Sequence, residues 1–257
     1  MEDSFILFLI VGFLAQIVDG ALGMAYGVVS SSVLLAFGVP PAAASAAVHA
    51  AEVFTTAASA GSHVWHRNVN WHLFRRLAPA GVIGGVAGTY VLTSVDGAAL
   101  KPYVAAYLGL MGCYILFRAY RRVPPVDTHH QGVVIGLGGV GGFADAVGGG
   151  GWGPVVTTGL IGNGGAPRET IGTVNTVEFF LTTTVSLAFL AALLSGHWQD
   201  AGGLLVHGRA VAGLIVGGLA AAPLAGYVVR HIPQGALLTI VGGLVISLAI
   251  YQTANLL

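Results

Sequence analysis

The sequence predicts an all-α polytopic membrane protein built from two inverted repeats. Hydrophobic residues make up 55% of the 257 residues and charged residues only 8%, whereas roughly a quarter of a soluble domain is charged. Several apolar runs approach the ~20 residues that a membrane-spanning helix needs. A segment near the start of the chain also recurs in its second half. A soluble protein is therefore excluded, and the net charge of zero gives no reason to expect nucleic acid as a partner.

The repeated segment covers residues 19–56, and a shift of 126 residues places it on residues 145–182 without a gap. Eleven of the 38 aligned positions are identical, where a chain so rich in Gly, Ala and Val would give roughly three or four by chance. The identical pairs are Asp19/Asp145, Gly23/Gly149, Gly27/Gly153, Val29/Val155, Leu34/Leu160, Gly38/Gly164, Pro41/Pro167, Val48/Val174, Glu52/Glu178, Phe54/Phe180 and Thr56/Thr182.

Each repeat is predicted to begin with a broken helix. Residues 4–37 are apolar but interrupted at residues 19–27. One straight helix of this length would measure about 51 Å, too long for a hydrocarbon core of ~30 Å, and each piece alone would be too short to cross. We therefore expect a re-entrant hairpin that enters and leaves by the same side, with its broken backbone satisfied by protein or by a watery cavity.

Three transmembrane helices are expected to follow each hairpin. In the first repeat they cover residues 41–62, 77–95 and 102–120. In the second repeat the broken element covers residues 132–161, and the helices cover 167–194, 210–229 and 233–253. The repeats then comprise residues 1–122 and 132–257, joined by a cytoplasmic linker at residues 123–131. The spacing of Gly81, Gly84, Gly85 and Gly88 predicts close helix packing.

The arginines predict the orientation. Three lie in a predicted polar loop at residues 63–76 and three more at residues 118–122. Two predicted crossings separate these segments, so they share a side, and the positive-inside rule makes that side cytoplasmic. With re-entrant hairpins each half crosses three times, so the second repeat is inverted relative to the first. If the broken elements span the membrane instead, the repeats are parallel.

Two expectations concern single side chains. Trp71, Tyr120 and Trp198 fit the aromatic belt at the membrane–water interface. Cys113 is the one cysteine and lies within an apolar run, so we expect a packed thiol and no disulfide.

The two breaks are the predicted anion site. Glycine lets backbone N–H groups converge, and the following half-helix adds the positive end of its dipole. The alternative is that the glycines only permit tight turns and close packing, and that nearby hydroxyls bond to their own helix. The predicted substrate-binding residues are Gly23, Tyr26, Gly27, Ser30, Ser31, His49, Gly149, Gly150, Gly151, Trp152, Gly153, Thr157 and Asn175.

Glu52 and Glu178 are predicted to couple transport to protons. An ionisable group inside a membrane is costly and is by default a functional hypothesis, and His49 lies on the same helix face as Glu52. One alternative is a buried neutral acid that binds broken backbone. Metal binding by His49 and Glu52 is another, but the second repeat has Asn175 in place of the histidine. We predict no metal and no cofactor.

Asp19 and Asp145 stand at the start of each break. They are predicted to be structural caps, which accept N–H bonds from the following half-helix, or proton relays. Ionised aspartates beside the site would repel an anion, which favours the capping role.

Five stretches of the sequence resemble the sulfite exporter TauE/SafE family. They read VDGALGMAYG at 18–27, GVPPAAAS at 38–45, HAAE at 49–52, GFADAVGGGGWGP at 142–154 and GTVNTVEFF at 172–180. The resemblance covers essentially the whole chain. It implies a multi-pass carrier in the bacterial inner membrane that exports sulfite, sulfoacetate or other organosulfonates and is coupled to protons. Relatives that take up thiosulfate use cysteines in their pathway, whereas Cys113 lies outside both repeated motifs.

Three functions remain open on the residues alone. The first is a secondary transporter of a small sulfur-containing anion. The second is a cation carrier that uses the duplicated Asp and Glu residues. The third is an intramembrane enzyme at His49 and Glu52, which the duplication disfavours because an enzyme needs one such site. The expected partners are the small anion and the lipid bilayer, and a homodimer is left open.

Overall fold

The part of the chain that the structure describes is helical throughout, joined by short turns. The structure is a computed structural model, and it describes residues 4–121, 131–162, 167–198, 208–231 and 233–255. The first half contains α1 (Ser4–Leu22), α2 (Tyr26–Ala36), α3 (Pro41–Trp65), α4 (Trp71–Ser94) and α5 (Gly97–Tyr120). The second half contains α6 (Gln131–Gly148), a π-helical turn (Gly153–Thr157), α7 (Thr158–Gly162), α8 (Pro167–Leu194), α9 (Gly208–His231) and α10 (Gln234–Ala254).

The first broken element is a helical hairpin. The chain leaves α1 at Gly23 and re-enters helix at Tyr26, with positive φ angles of 67° at Gly23 and 107° at Ala25. Phe8 near the start of α1 packs edge-on against Phe37 just beyond the end of α2, with ring centroids 6.2 Å apart. The contact brings the two open ends of the element together, so α2 runs back along α1.

The second broken element differs from the first in its second arm. The break again begins with a left-handed glycine, Gly149, with φ 65°. The following arm is a π-helical turn continued by the short α7, where the first copy has the single helix α2. Pro154 stands in this turn at the position of Val28 in the first copy, and proline has no N–H group to donate to a regular helix.

Glycines allow the arms of the breaks to pack closely against longer helices. α6 packs along α4, and α1 packs along α9. A Cβ atom on Gly84 or Gly142 would collide with the carbonyl group of Gly139 or Gly81, respectively. Gly81, Gly84, Gly85 and Gly88 are all buried. The close packing that the glycine spacing predicts is therefore confirmed.

The two helices that carry the duplicated glutamates, α3 and α8, cross in opposite directions. Thr56 and Thr182 are equivalent in the repeat, and their Oγ1 atoms lie 3.3 Å apart. Further along α3, Ser59 accepts a hydrogen bond of 3.1 Å from Asn175, which precedes Thr182 on α8. α5 and α10 are also antiparallel, because Gly109 faces Ala249 while Gly112 faces Ile246.

The structure shortens one predicted loop. Residues 63–76 were expected to be a polar loop, but α3 continues to Trp65 and α4 begins at Trp71. Asn70 is the cap, since its side chain accepts the N–H groups of His72 and Leu73 at 3.1 Å each. Arg75 and Arg76 therefore lie in the first turns of α4. Similarly, Asp96 caps α5 at Gly97, ahead of the predicted start at Pro102.

Within the described residues, five helices are long and apolar enough to cross a membrane: α4, α5, α6, α8 and α10. Four of them are predicted crossings, and α6 is an arm of a broken element. Shorter apolar stretches occur in α1, α2 and α9, whereas α3 is interrupted by buried polar groups. Residues 123–130 of the predicted linker and 199–207 of the second polar loop lie outside the described residues.

Two expectations for single side chains are wrong. Trp198 is not at the surface with Trp71 and Tyr120, because only 5% of it is exposed and it packs against Phe189. Cys113 is exposed on α5 and is not packed. Sequence position alone did not show which face of each helix is turned inward.

The glycine packing generates a stability test. Gly142→Ala should lower the free energy of unfolding by about 1–3 kcal/mol, because the new methyl group collides with the backbone of α4. Gly136→Ala is the matched control on the same helix, where a Cβ meets nothing within 4 Å. Both changes raise the helix propensity of α6 by the same amount. The difference between their melting temperatures in detergent therefore measures the effect of the collision alone. Equal melting temperatures would contradict the close contact.

Candidate functional site

The two breaks lie against each other and are joined by reciprocal hydrogen bonds. The Ser31 hydroxyl donates to the carbonyl of Gly149 at 2.7 Å, and the Thr157 hydroxyl donates to the carbonyl of Gly23 at 3.4 Å. Ser31 and Thr157 are equivalent in the repeat, as are Gly23 and Gly149. Each half thus supplies a hydroxyl to the opened backbone of the other half, which is how broken helices avoid unpaired carbonyls.

The glycines at this contact leave no room for side chains. A Cβ on Gly27 would lie 2.6 Å from the carbonyl oxygen of Gly149, and one on Gly153 would lie 2.7 Å from the Cα of Met24. Gly150 is pressed against the backbone of Gly27. Glycine is therefore required here because two backbones approach closely, which agrees with the alternative that these glycines serve close packing.

Asp19 and Asp145 lie in the last turns of α1 and α6, and their side chains reach across the breaks to the starts of the second arms. One oxygen of Asp145 accepts the N–H groups of Gly151 and Trp152 at 2.7 and 3.0 Å, and Asp19 accepts the N–H group of Tyr26 at 3.4 Å. This is capping geometry. It also means that three of the N–H groups that were predicted to face an anion are bonded to carboxyl groups of the protein.

Asp145 also contacts His49 of the first half. Its second oxygen lies 3.1 Å from Nε2 of His49, and both side chains are buried. Nδ1 of His49 lies 2.8 Å from the carbonyl oxygen of Ser45, which can only accept, so Nδ1 carries a hydrogen. The contact at Nε2 then needs one further proton, held either by the imidazole or by the acid. The pair is a buried proton-holding unit that links α3 to α6.

Glu52 completes a cluster of three ionisable groups. Ligand atoms of His49, Glu52 and Asp145 all lie within 4.8 Å of one another. Oε2 of Glu52 is buried and has no hydrogen-bond partner among the described residues. The spacing allows one divalent cation to contact all three groups, whereas only the 3.1 Å contact between His49 and Asp145 is short enough for direct proton transfer. Glu178, the equivalent residue on α8, is also buried.

The aromatic residues of the breaks are bonded to neighbouring helices. The Tyr26 hydroxyl donates to the carbonyl of Leu214 at 3.0 Å, and the Trp152 ring nitrogen donates to the carbonyl of Val174 at 3.2 Å. Both rings are buried. Their polar atoms are thus engaged in positioning the breaks.

Several polar atoms near the breaks are buried without a hydrogen-bond partner among the described residues. They include the hydroxyl oxygens of Ser30, Ser32 and Thr158 and the side-chain oxygen of Asn175. Such groups are costly unless they serve a purpose, and a polar ligand is one purpose. Gly27 and Val28 add the first-turn N–H groups of α2, which lack partners within their helix.

Sequence reasoning missed two features of the site. Ser45 donates to the carbonyl of Ala146 at 2.5 Å, and its own carbonyl orients His49. Its position one turn before His49 on the same helix was the available signal. No sequence signal indicated the contact between His49 and Asp145, because these residues are 96 positions apart.

Comparison with known proteins agrees with the resemblance. The sequence model of the family described as "Sulfite exporter TauE/SafE" matches residues 8–252. A protein of Bacillus subtilis (strain 168), described as "Probable membrane transporter protein YtnM", is 42% identical over 247 residues, which are 94% of this chain and 80% of that protein. No solved structure matches the chain.

The two caps differ in strength, which leads to a second stability test. Asp145→Ala removes two N–H bonds and the partner of His49, so it should lower the melting temperature more than Asp19→Ala, which removes one long bond. Loss of a cap costs about 0.5–2 kcal/mol. Asp145→Asn keeps an accepting oxygen and should retain most of the stability. An equal loss in the two Ala variants would show that the caps are equivalent.

Proposed function

Because the chain belongs to the sulfite exporter TauE/SafE family, we propose that it exports sulfite or a small organosulfonate such as sulfoacetate across the bacterial inner membrane. Family membership makes it a multi-pass membrane transporter, in agreement with the five apolar helices of spanning length in the part of the chain that the structure describes. Export is coupled to protons and proceeds by alternating access. The anion binds between the two breaks.

The observation that carries this proposal is the reciprocal bonding between the breaks. Hydroxyls of Ser31 and Thr157 hold the two halves together at equivalent points. An anion that enters between the breaks takes the place of the two carbonyls as the acceptor for these hydroxyls. It also accepts hydrogen bonds from the N–H groups of Gly27 and Val28, which have no partner within α2. Binding therefore exchanges contacts between the halves for contacts to the ligand, as alternating access requires.

The crossing of α3 and α8 supports inverted repeats. Equivalent threonines meet at the crossing, and the two helices run in opposite directions. Inverted repeats are related by a two-fold axis in the membrane plane, and an axis of that kind through the crossing would exchange two antiparallel helices such as α3 and α8. The contact of Phe8 with Phe37 supports the re-entrant interpretation, because both ends of the first hairpin lie on one side.

The cluster of His49, Glu52 and Asp145 couples the anion to protons. Asp145 lies at the end of α6 in the second half, whereas His49 and Glu52 belong to α3 of the first half. A proton that moves from the His49–Asp145 pair to Glu52 changes the charge pairing between the halves at the point where the anion binds. Glu178 plays the equivalent part on α8, with Asn175 in place of a histidine partner.

This mechanism predicts the effect of removing the acids. Glu52→Gln and Glu178→Gln keep the shape of the side chain but hold no exchangeable acid proton, so each should abolish acceleration of sulfite efflux by a proton gradient in proteoliposomes. Glu169→Gln is the matched control, since Glu169 is an exposed glutamate at the start of α8. Efflux by Glu52→Gln that keeps the wild-type pH profile would remove the proton role.

A cation carrier is the second candidate, because three buried ligand atoms lie within 4.8 Å of one another. Thermal stabilisation of the purified protein separates the two functions. Sulfite, sulfoacetate, taurine and thiosulfate are tested in one series, and Mn²⁺, Zn²⁺ and Mg²⁺ in another. We expect a rise in melting temperature with sulfite or sulfoacetate. Stabilisation by a divalent ion, lost in His49→Gln, with no response to the anions would favour the cation carrier.

A further inference from the structure

A cavity of about 440 Å³ opens at one end of the helix bundle, away from the breaks. It lies where α4 passes into α5, beside the start of α3 and the end of α8, and its walls include Ala42, Ser94, Asp96, His197 and Trp198. These walls are largely polar. Ser94 lies 2.8 Å from the ring nitrogen of His197, which stacks on Tyr90 with ring centroids 4.9 Å apart.

The cavity is on the side opposite the arginine-rich segments. Arg75 and Arg76 lie in the first turns of α4, and the cavity lies at the other end of that helix. Arg118 and Arg121 likewise lie at the far end of α5. By the positive-inside rule, the arginines face the cytoplasm and the cavity faces the outside. The Asp96 carboxylate at its rim accepts the N–H group of Ala98 at 2.8 Å and so caps the positive end of α5.

Two aromatic rings separate this cavity from the site between the breaks. The ring of Trp198 lies 5.6 Å from that of Phe189, and the ring of Phe189 lies 6.3 Å from that of His49. Both Phe189 and Trp198 are buried. Along α3, Ala42 in the cavity wall and His49 in the cluster are seven residues apart on one face, a rise of about 10 Å. The barrier is therefore thin and apolar.

The equivalent position on the cytoplasmic side is polar. The repeat pairs Asn175 with His49, and the same shift of 126 residues, continued beyond the repeated segment, pairs Phe189 with His63. Nδ2 of Asn175 lies 3.4 Å from Nε2 of His63, and Nδ2 of Asn68 lies 3.3 Å from its Nδ1. Arg168 donates to Asn68 at 2.6 Å and is exposed. A chain of polar side chains thus runs from the cytoplasmic surface to the buried Asn175, whereas the outer side has two aromatic rings.

We propose that the cavity is the outward vestibule through which the anion leaves, and that Phe189 and Trp198 form the outer gate. This inference rests on the proposed function for the identity of the anion, but its geometry does not depend on that identity. In the closed state the rings exclude water and ions from the cluster. When the halves move, the rings separate, and the anion passes along the face of α3 from His49 to Ala42.

Cysteine accessibility in intact cells tests the vestibule. In a Cys113→Ser background, Ser94→Cys should react with 2-sulfonatoethyl methanethiosulfonate, a membrane-impermeant thiol reagent that is itself a small sulfonate. His66→Cys, exposed at the other end of the bundle, should react only after the membrane is permeabilised. The reverse pattern would place the cavity on the cytoplasmic side and overturn the proposal.

The gate is tested with a reporter behind it. Ser45→Cys is buried beyond the rings and should react slowly in intact cells. Adding Phe189→Ala should raise its labelling rate at least tenfold. Adding Phe180→Ala, which removes a half-exposed ring from the same helix, should leave the rate unchanged. An unchanged melting temperature of each double variant in detergent shows that the protein is folded, and equal rates in the two double variants would overturn the gate.

Protection by sulfoacetate distinguishes this proposal from the proposed function. Sulfoacetate is used because sulfite cleaves the disulfide that the reagent forms. Opening of the gate by Phe189→Ala together with slower labelling in the presence of sulfoacetate supports both proposals. Opening without protection supports the pathway but counts against a sulfonate as its ligand. Slow labelling in Phe189→Ala, together with stabilisation of the purified protein by sulfoacetate, counts against the gate alone.

Discussion

The structure depends on the way in which two interrupted helices satisfy each other. Opening a helix exposes carbonyl and N–H groups, and in lipid these groups have no water to bind. Here the carbonyls of Gly23 and Gly149 are bonded by hydroxyls from the opposite half, while Asp19 and Asp145 cap the helices that follow. Neither break is complete without the other half. The pairing therefore fixes the relative position of the halves and creates a polar point inside an apolar protein.

The sequence was sufficient to predict the features that leave a periodic or repeated trace. Helix α8 begins and ends where the sequence predicts, because Pro167 starts it and the mainly apolar run continues to Leu194. The breaks are located by their duplicated glycines and aspartates. The glycine spacing in α4 indicated that this helix packs closely against a neighbour. Each of these signals can be read from the order of residues along the chain, without knowledge of which distant segments come into contact.

The features that could not be predicted depend on contacts between distant segments. Asp145 reaches His49 from the other half, and Trp198 turns inward although its position near a helix end resembles that of an interfacial residue. The loop at residues 63–76 was misjudged because its charged residues suggested water, whereas Asn70 provides a cap that extends helix through them. Charge shows that a residue avoids lipid, but a helix end can satisfy that requirement as well as a loop.

Small departures from the repeat have directional consequences. With identical halves, an inverted arrangement would present the same barrier to both sides of the membrane. In this chain Asn175 stands where the other half has His49, and His63 stands where the other half has Phe189. The side with Asn175 and His63 is therefore polar, and the side with Phe189 is aromatic. Polar side chains can exchange their mutual hydrogen bonds for contacts with an anion, whereas aromatic rings must move aside. Under the proposed alternating access, the two barriers open by different physical events, and this difference would allow duplicated halves to treat the two sides of the membrane unequally.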